Sequence, residues 1–419
     1  VLTALVVPVL VRAEKEDPDH GAAFIRRLLT VSMTLLAVVT VLAVIGAPLL
    51  TRLSLNEAGK VNVPLATSFA FLLLPQIIFY GIFALLMAVL NTKGIFKPGA
   101  WAPVANNVVA IATLLLYLFL PGQLSPDSDG SLSDPHILLL GLGTTLGVVI
   151  QAAIMIPYLK RAGIDLRPLW GIDDRIKQFT GMGVAIVTYV AISQAGYFIT
   201  TNIASTASKA APTIYQQAWL LLQVPYGIIG VTLLTAIMPR LSRNAADGND
   251  GAVVRDLSIG TRLTMIALVP IVAFFTAFGR PIAVGLFAYL EFPRETAEIL
   301  GWTLSFSAFS LIPYAIVLLH LRVFYAREEA WTPTFIILGI TTVKVILSFF
   351  APRLASDDET VVVLLGAANG FGFVAGAVIG FLLLRRTLGH LDSKATVHTV
   401  LWALGASLVG VAVAGGAFA

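Results

Sequence analysis

The sequence predicts an all-α integral membrane protein built from two repeated halves. Of its 419 residues, 58% are hydrophobic and only 12% are charged, and the mean hydropathy is +0.90. Soluble domains carry about 25% charged residues, so a soluble fold of this length would lack the polar surface that it needs. The apolar residues form continuous runs instead of alternating with polar ones, which predicts helices and not barrel strands.

Eleven apolar segments are each close to the ~20 residues that a helix needs to cross the hydrocarbon core. In chain order they are 24–51, 65–90, 100–120, 136–159, 178–204, 212–238, 259–279, 297–321, 331–351, 361–384 and 397–418. Residues 1–11 are too few to span and read as the end of a helix that starts earlier. The turns between the segments are short and polar, and none could hold a soluble domain.

The basic residues of the loops predict the orientation of the helices. Twenty of the 27 Lys and Arg residues fall in loops on one side, including 160–177 and 239–258, and six fall on the opposite side. Cytoplasmic loops carry such an excess, so this side is predicted to be cytoplasmic. The acidic 121–135 loop is then predicted to face outward.

An internal repeat relates the two halves. Leu2–Pro8 (LTALVVP) matches Leu234–Pro239 (LTAIMP), and each is followed by a turn that is first basic and then acidic. Three further pairs keep the same order at a similar offset: Gly46 with Gly279, Pro75 with Pro313, and Pro98 with Pro333. Cytoplasmic loops match cytoplasmic loops, which predicts parallel repeats about an axis along the membrane normal.

The repeat predicts the domain boundaries. We expect a first lobe over 1–160, a cytoplasmic linker over 161–177, a second lobe over 178–386, and an additional transmembrane helix over 397–419. Two helices, 178–204 and 212–238, lead up to the motif in the second copy, whereas the first copy begins almost at the motif. A complete fold of six helices plus six would therefore place about 55 further residues upstream of residue 1.

The residue composition gives little indication that the chain is an enzyme. The chain contains no cysteine, five scattered histidines and no GxxxxGK[ST] motif, so we expect no metal site, no cofactor and no ATP hydrolysis. The net charge of +4 is small and lies in short loops, which favours lipid headgroups over a nucleic acid as the partner.

Three stretches resemble the MurJ (MviN) lipid II flippases: Ala88–Asn107 (AVLNTKGIFKPGAWAPVANN), Leu221–Ser242 (LLQVPYGIIGVTLLTAIMPRLS) and Phe324–Pro333 (FYAREEAWTP). The resemblance implies the multidrug/oligosaccharidyl-lipid/polysaccharide (MOP) exporter fold, with two six-helix lobes around a central cavity and alternating access. It implies the bacterial cytoplasmic membrane as the location, and lipid II, moved to the outer leaflet for peptidoglycan synthesis, as the substrate. Membrane lipids and cell-wall synthesis or division proteins are the partners that it implies.

The chain departs from the family where the family carries charge. The resemblance implies cavity arginines mostly in the family's first two helices, which we expect to lie upstream of residue 1. A further family arginine aligns with Leu220, and a nearby acidic residue aligns with Gln223. If the cavity still holds pyrophosphate electrostatically, the charges must come from the segment expected upstream of residue 1 or from elsewhere.

Polar residues within the apolar segments are the candidates for a headgroup path, because a polar headgroup needs a polar cavity to cross the hydrocarbon. The second lobe's first two helices carry most of them: Gln194, Tyr197, Asn202, Tyr215, Gln216, Gln217 and Gln223. Hydrogen bonds between helices would explain the same residues. Asn107 is a further candidate, although it follows Pro103 near a predicted helix start, where capping and packing would explain it and Asn106.

Two basic residues are candidates for a lipid-phosphate or groove contact. Arg262 is three residues into its segment, where its side chain could extend to the cytoplasmic headgroups. Lys344 is near the middle of 331–351, where a charge is costly and functional by default, although we expect it to be distant from the candidate helices. His320 and Arg322 are predicted to be interfacial.

Three functions remain open from the sequence. A flippase for lipid II leads, and another lipid-linked oligosaccharide is an alternative substrate. A cation-coupled multidrug exporter of the same superfamily is the second, although such exporters need a membrane-embedded Asp or Glu that the eleven segments lack away from their ends. The third is a scaffold for cell-wall enzymes, which would require no polar cavity.

Overall fold

The computed structural model is helical in both halves of the chain. It describes residues 13, 17–55, 61–125, 127–171, 174–289, 292–327, 329 and 331–418. Side chains within helices are not described for residues 174–183, 230–236, 238, 239, 242, 246, 417 and 418. The chain divides into two compact units, Val1–Leu53 with Asn62–Gly181, and Ser54–Val61 with Met182–Ala419.

Seven helices lie in the described residues of the first unit. They are α1 (Ala22–Ile45), α2 (Ala47–Ser54), α3 (Val63–Leu73), α4 (Gln76–Thr92), α5 (Lys97–Tyr117), α6 (Pro135–Ala153) and α7 (Met155–Arg161). Their buried apolar side chains form one cluster around Phe24, Leu90 and Met155, in which α1, α4 and α7 meet.

Eight helices of the described chain lie wholly or mostly in the second unit. They are α8 (Asp174–Ala207), α9 (Ala211–Ala246), α10 (Asp250–Phe287), α11 (Arg294–Ser307), α12 (Leu311–Ala326), α13 (Trp331–Leu354), α14 (Asp358–Leu388) and α15 (Ser393–Phe418). A 3₁₀ turn, Ala308–Ser310, joins α11 to α12. The larger core cluster lies around Leu222, Met265 and Phe324, and a smaller one around Ile214 and Leu365 joins α9 to α14.

The helix breaks recur at the positions that the repeat predicts. The first span of unit 1 breaks at Gly46, between α1 and α2. The matching helix of unit 2, α10, has one residue with non-helical backbone angles, Phe278, directly before Gly279. Each unit therefore bends its first matched span at the Gly-x-Pro sequence, because Pro48 and Pro281 cannot donate a backbone hydrogen bond.

The prolines of the next two spans also occupy matching positions in the two units. Pro75 lies between α3 and α4, and Pro313 follows the 3₁₀ turn that divides α11 from α12. Pro98 and Pro333 each lie in the first turn of the following helix. The described part of the repeat thus agrees with the predicted register, whereas Leu2–Pro8 lies outside the described residues and Leu234–Pro239 lies mostly outside the described side chains.

An aspartate caps the last matched helix in each unit. Asp134 accepts a hydrogen bond from the backbone N–H of His136 at 2.8 Å, and Asp357 accepts one from the N–H of Thr360 at 2.7 Å. Such caps satisfy amide groups that have no partner within the helix. The two units therefore begin this helix with the same chemistry.

The residues between the predicted lobes pack on α1. Arg26 donates from Nε to the carbonyl of Arg167 at 2.9 Å, and Thr30 Oγ1 accepts from the backbone N–H of Leu169 at 2.9 Å. An ion pair between Arg26 and Asp165, at 3.5 Å, adds to these bonds. The predicted linker therefore has a defined course over its first part, up to Gly171, and α8 begins before residue 178, at Asp174.

Ten helical stretches within the described residues are long and apolar enough to cross a membrane. The eleventh predicted segment, 212–238, is helical throughout as part of α9, although many of its side chains are not described. One boundary expectation was wrong: 239–258 is mostly helix and not loop, because α9 continues to Ala246 and α10 begins at Asp250. Arg240 and Arg243 are polar but favour helix, so they end the apolar run without ending the helix.

Candidate functional site

Lys344 is the centre of the candidate site. It lies near the middle of α13, and its Nζ is 6.0 Å from the centroid of the Tyr215 ring of α9. Tyr197 of α8 is close enough to interact with it electrostatically. The expectation that Lys344 is distant from the candidate helices was therefore wrong, because α8, α9 and α13 bring the three side chains together.

Glycine on α14 makes room for this lysine. A Cβ on Gly372 would lie 3.1 Å from the Cβ of Lys344 and 2.8 Å from the carbonyl oxygen of Ile340. Small residues allow helices to approach closely in a membrane, so α14 packs directly against the α13 backbone here. On α13 itself, Ser348 Oγ donates to the carbonyl oxygen of Lys344 at 2.7 Å.

The charge of Lys344 is incompletely compensated. Across the part of the chain that the structure describes, no carboxylate lies within ion-pair distance of its Nζ. A cation over an aromatic ring gains about 0.5–2 kcal/mol, whereas a charge at the centre of a transmembrane helix costs about 2.5–3.5 kcal/mol on insertion scales. The Tyr215 ring therefore offsets only part of the cost, and an anion would offset more.

The polar residues of α8 divide into exposed and packed positions. Gln194 is exposed, and Tyr197 and Asn202 are half-buried. Thr200 is fully buried and donates to the carbonyl of Gly196 within its own helix at 2.9 Å. Gln194 and Tyr197 lie three residues apart and so share a helix face.

The candidates on α9 also differ in exposure. Tyr215 is buried, Gln216 is exposed, and Gln217 and Gln223 are half-buried. Gln223 hydrogen-bonds the side chain of Tyr314 on α12. Tyr314 belongs to an aromatic cluster whose ring centroids are 5.0–5.4 Å apart, formed with Trp219, Tyr226 and Phe373. Gln223 therefore links α9 to α12 within the second unit. The side chain of Gln216, in contrast, lies on the surface of this unit.

Asn107 and Arg262 lie deeper in their helices than expected. Asn107 is exposed and nearly three turns into α5, which begins at Lys97, so it cannot be a cap. The neighbouring Asn106 packs against Gly147 of α6. Arg262 is about three turns into α10 and donates from Nε to Thr399 Oγ1 on α15 at 3.0 Å. The capping explanation and the position of Arg262 were thus wrong, because both helices begin before their apolar segments.

His320 is buried within the second unit. It is 6% exposed, and its Nδ1 has no hydrogen-bond partner. It lines an apolar cavity of about 570 Å³ between α10, α12, α14 and the start of α15. The described residues contain no group of three His, Asp or Glu side chains that could hold a metal ion.

A buried acidic residue at the α9–α10 turn has partners of its own. Asp256, whose side chain is 4% exposed, forms an ion pair with Arg240. Its second oxygen accepts a hydrogen bond from Asn244 Nδ2 at 2.7 Å. These partners neutralise the carboxylate within the turn, so Asp256 joins α9 to α10 and is not a free acid for cation coupling.

Solved structures with a similar fold are membrane transporters. The fold matches "Lipid II flippase MurJ, inward closed conformation" with a TM-score of 0.74 and 16% identity, over 97% of this chain and 80% of that one. It also matches an inward-facing multidrug resistance transporter of the MATE family and MOP superfamily, with a TM-score of 0.74 and 16% identity over 92% of this chain and 87% of that one. The chain thus shares the fold of these transporters.

Curated relatives and a family model indicate which transporter family the chain belongs to. The chain is 25% identical to "Lipid II flippase MurJ" of Burkholderia cenocepacia, over 96% of this chain and 76% of the relative. It is 26% identical to "Probable lipid II flippase MurJ" of Vibrio cholerae, over 71% of this chain and 57% of the relative. The family model described as "Lipid II flippase MurJ" matches residues 1–419. This multi-pass, non-enzymatic chain of the bacterial cytoplasmic membrane therefore belongs to the lipid II flippase MurJ family.

Proposed function

We propose that this chain moves lipid II, the undecaprenyl-pyrophosphate-linked peptidoglycan precursor, from the inner to the outer leaflet by alternating access. The match of the family model over residues 1–419 carries the proposal. Alternating access is supported by the fold, which resembles both inward-facing and outward-facing structures of MATE transporters, with TM-scores of 0.74 and 0.69.

The polar faces of α8 and α9 form the headgroup path in this proposal. Gln194 is exposed on a helix that is apolar enough to cross the bilayer, and Gln216 is exposed within the predicted segment 212–238. An exposed amide in a membrane segment is costly unless it meets water, a polar partner or a polar ligand. Asn202, Gln217 and Tyr197 are half-buried beside them and would shape the same path.

Gln216 provides the direct test of this path. In cells that depend on this protein for flipping, Gln216→Leu should reduce outer-leaflet lipid II roughly two- to tenfold, because one hydrogen bond is worth about 0.5–1.5 kcal/mol. The melting temperature of the Gln216→Leu variant in detergent should equal that of the wild type, since the Gln216 side chain is exposed. Ile228→Leu, on an exposed position of the same helix, is the control and should flip normally.

Gln223→Leu separates the two roles that a membrane glutamine can have. Because Gln223 hydrogen-bonds Tyr314, its loss should lower the melting temperature, whereas Gln216→Leu should lower flipping alone. Full flipping by Gln216→Leu would remove this residue from the path. Equal thermal destabilisation by both variants would assign both glutamines to helix packing.

Multidrug export is the second candidate function, because MATE transporters share the fold. Asp256 is buried near the start of α10, but Arg240 of α9 forms an ion pair with it and Asn244 of α9 donates a hydrogen bond to it. Export of cationic dyes from cells that express the chain, with no effect on lipid II, would favour this function over the proposed one.

A further inference from the structure

Lys344 has donors that no group of the described chain uses. Its ammonium has three N–H groups, and its described neighbours are the face of the Tyr215 ring and the nearby Tyr197. The Lys344 side chain is half-buried and so keeps part of its surface accessible. Neither tyrosine brings a negative charge, so a ligand that accepts hydrogen bonds and carries negative charge would complete the surroundings of the ammonium.

The surroundings exclude several kinds of ligand. A metal ion or an organic cation would be repelled by the ammonium, and no His, Asp or Glu group for a metal occurs among the described residues. A purely apolar ligand would leave the ammonium unsatisfied, which is costly at this depth. A phosphate group fits, because lysine binds phosphate as a compact point charge and the Tyr197 hydroxyl can donate as well.

We propose that Lys344, with Tyr215 and Tyr197, forms an anion site that binds the phosphate groups of a prenyl-linked substrate. The Tyr215 ring holds the ammonium from one side, and the anion binds from the other. This inference rests on the proposed function, because only a lipid-linked substrate would bring phosphate to the middle of α13.

The site accounts for the retention of a lysine where an apolar residue would stabilise the fold. Replacing a buried charge with a well-packed apolar side chain is often neutral or stabilising. A lysine that served only to join α8, α9 and α13 could therefore be replaced by methionine without loss of function. A lysine that binds an anion could be replaced only by another cation.

Binding by the purified protein tests the site. In nanodiscs, farnesyl pyrophosphate should bind the wild type, and Lys344→Met should weaken this binding at least tenfold. Lys344→Arg should keep it within about threefold, because it keeps the charge. Farnesol should bind wild type and Lys344→Met equally, since it has no phosphate. Lys394→Met, which removes an exposed charge from the same unit, is the matched control and should not change the affinity.

Melting temperatures distinguish a variant that has lost the anion site from one that is unfolded. Lys344→Met should melt at or above the wild-type temperature, and if it unfolds, Lys344→Gln replaces it in the same titration. Equal affinity of wild type and the uncharged variant for farnesyl pyrophosphate would overturn the site. Sodium pyrophosphate that binds as tightly as farnesyl pyrophosphate would assign the site to a free anion and overturn its assignment to a lipid-linked substrate.

Flipping assays distinguish this inference from the proposed function. If Lys344→Met loses binding in a protein whose wild type flips no lipid II, the site stands and the proposed function fails. If the wild type flips lipid II and Lys344→Met flips it equally well, the function stands and the site fails.

Discussion

At the residue scale, two aspartates show how the ends of membrane helices are stabilised outside the bilayer. A hydrogen bond from the backbone N–H of His136 lowers the pKa of Asp134, and contact with the His136 side chain adds to it. The side-chain hydroxyl of Thr360, followed by its backbone N–H, lowers the pKa of Asp357. Both carboxylates also face the positive end of a helix dipole.

The lowered pKa values predict a pH dependence of stability. A carboxyl group with a depressed folded-state pKa stabilises the fold above its unfolded value of about 3.9 and loses that contribution as the pH falls through the folded value. Asp134→Asn with Asp357→Asn keeps the capping oxygens but removes the charges. The variant should melt below the wild type at pH 6, and the difference should shrink towards pH 3. A difference that stays constant between these pH values would contradict the electrostatic explanation.

At the element scale, the crossing of α10 and α11 depends on two glycines. A Cβ on Gly301 would collide with the Cα of Arg280 and would lie 2.9 Å from its backbone nitrogen. A Cβ on Gly279 would lie 2.7 Å from the carbonyl oxygen of Gly301. Because the obstacles are backbone atoms, the helices could admit a methyl group only by moving apart.

Gly301→Ala should therefore destabilise the protein by about 1–3 kcal/mol, the usual cost of overpacking. Gly285→Ala is the control, because nothing lies within 4 Å of its added Cβ on α10. Alanine favours helix over glycine by up to about 1 kcal/mol, so the control should be neutral or stabilising. Denaturation in detergent measures both variants, and equal stability of the two would show that the crossing relaxes at little cost.

At the scale of the whole molecule, the charge bias predicts which side of the membrane each loop faces. The chain contains no cysteine, so single cysteines report accessibility without background. In intact cells, an impermeant thiol reagent should label Asp129→Cys and should not label Asp247→Cys. Both positions are exposed in the structure, so labelling reports the side of the membrane and not burial. The reverse pattern would refute the orientation and the proposed direction of flipping.

The sequence alone determined the helical class, the spans and the repeat, because each depends on local properties. An apolar run of about 20 residues needs a membrane wherever it lies, and a proline interrupts hydrogen bonding in any helix. The segments 24–51, 65–90 and 259–279 were expected to be continuous, and each is interrupted at or beside a residue that the repeat pairs: at Gly46, at Pro75 and at Phe278. Helix ends were less predictable, since the polar residues 239–246 and 250–258 continue α9 and α10 beyond the apolar segments.

Only the tertiary structure decided which polar side chains meet. Hydropathy places Lys344 in the middle of a span but does not show which helix faces it, and the Tyr215 ring became its neighbour through the packing of α9 and α13. In the same way, Gln216 and Gln223 look alike in the sequence, yet one is exposed and the other bonds Tyr314. The physical reason is rotation about the helix axis: an almost uniformly apolar helix can bury any face, so close packing with its neighbours selects the face that it presents.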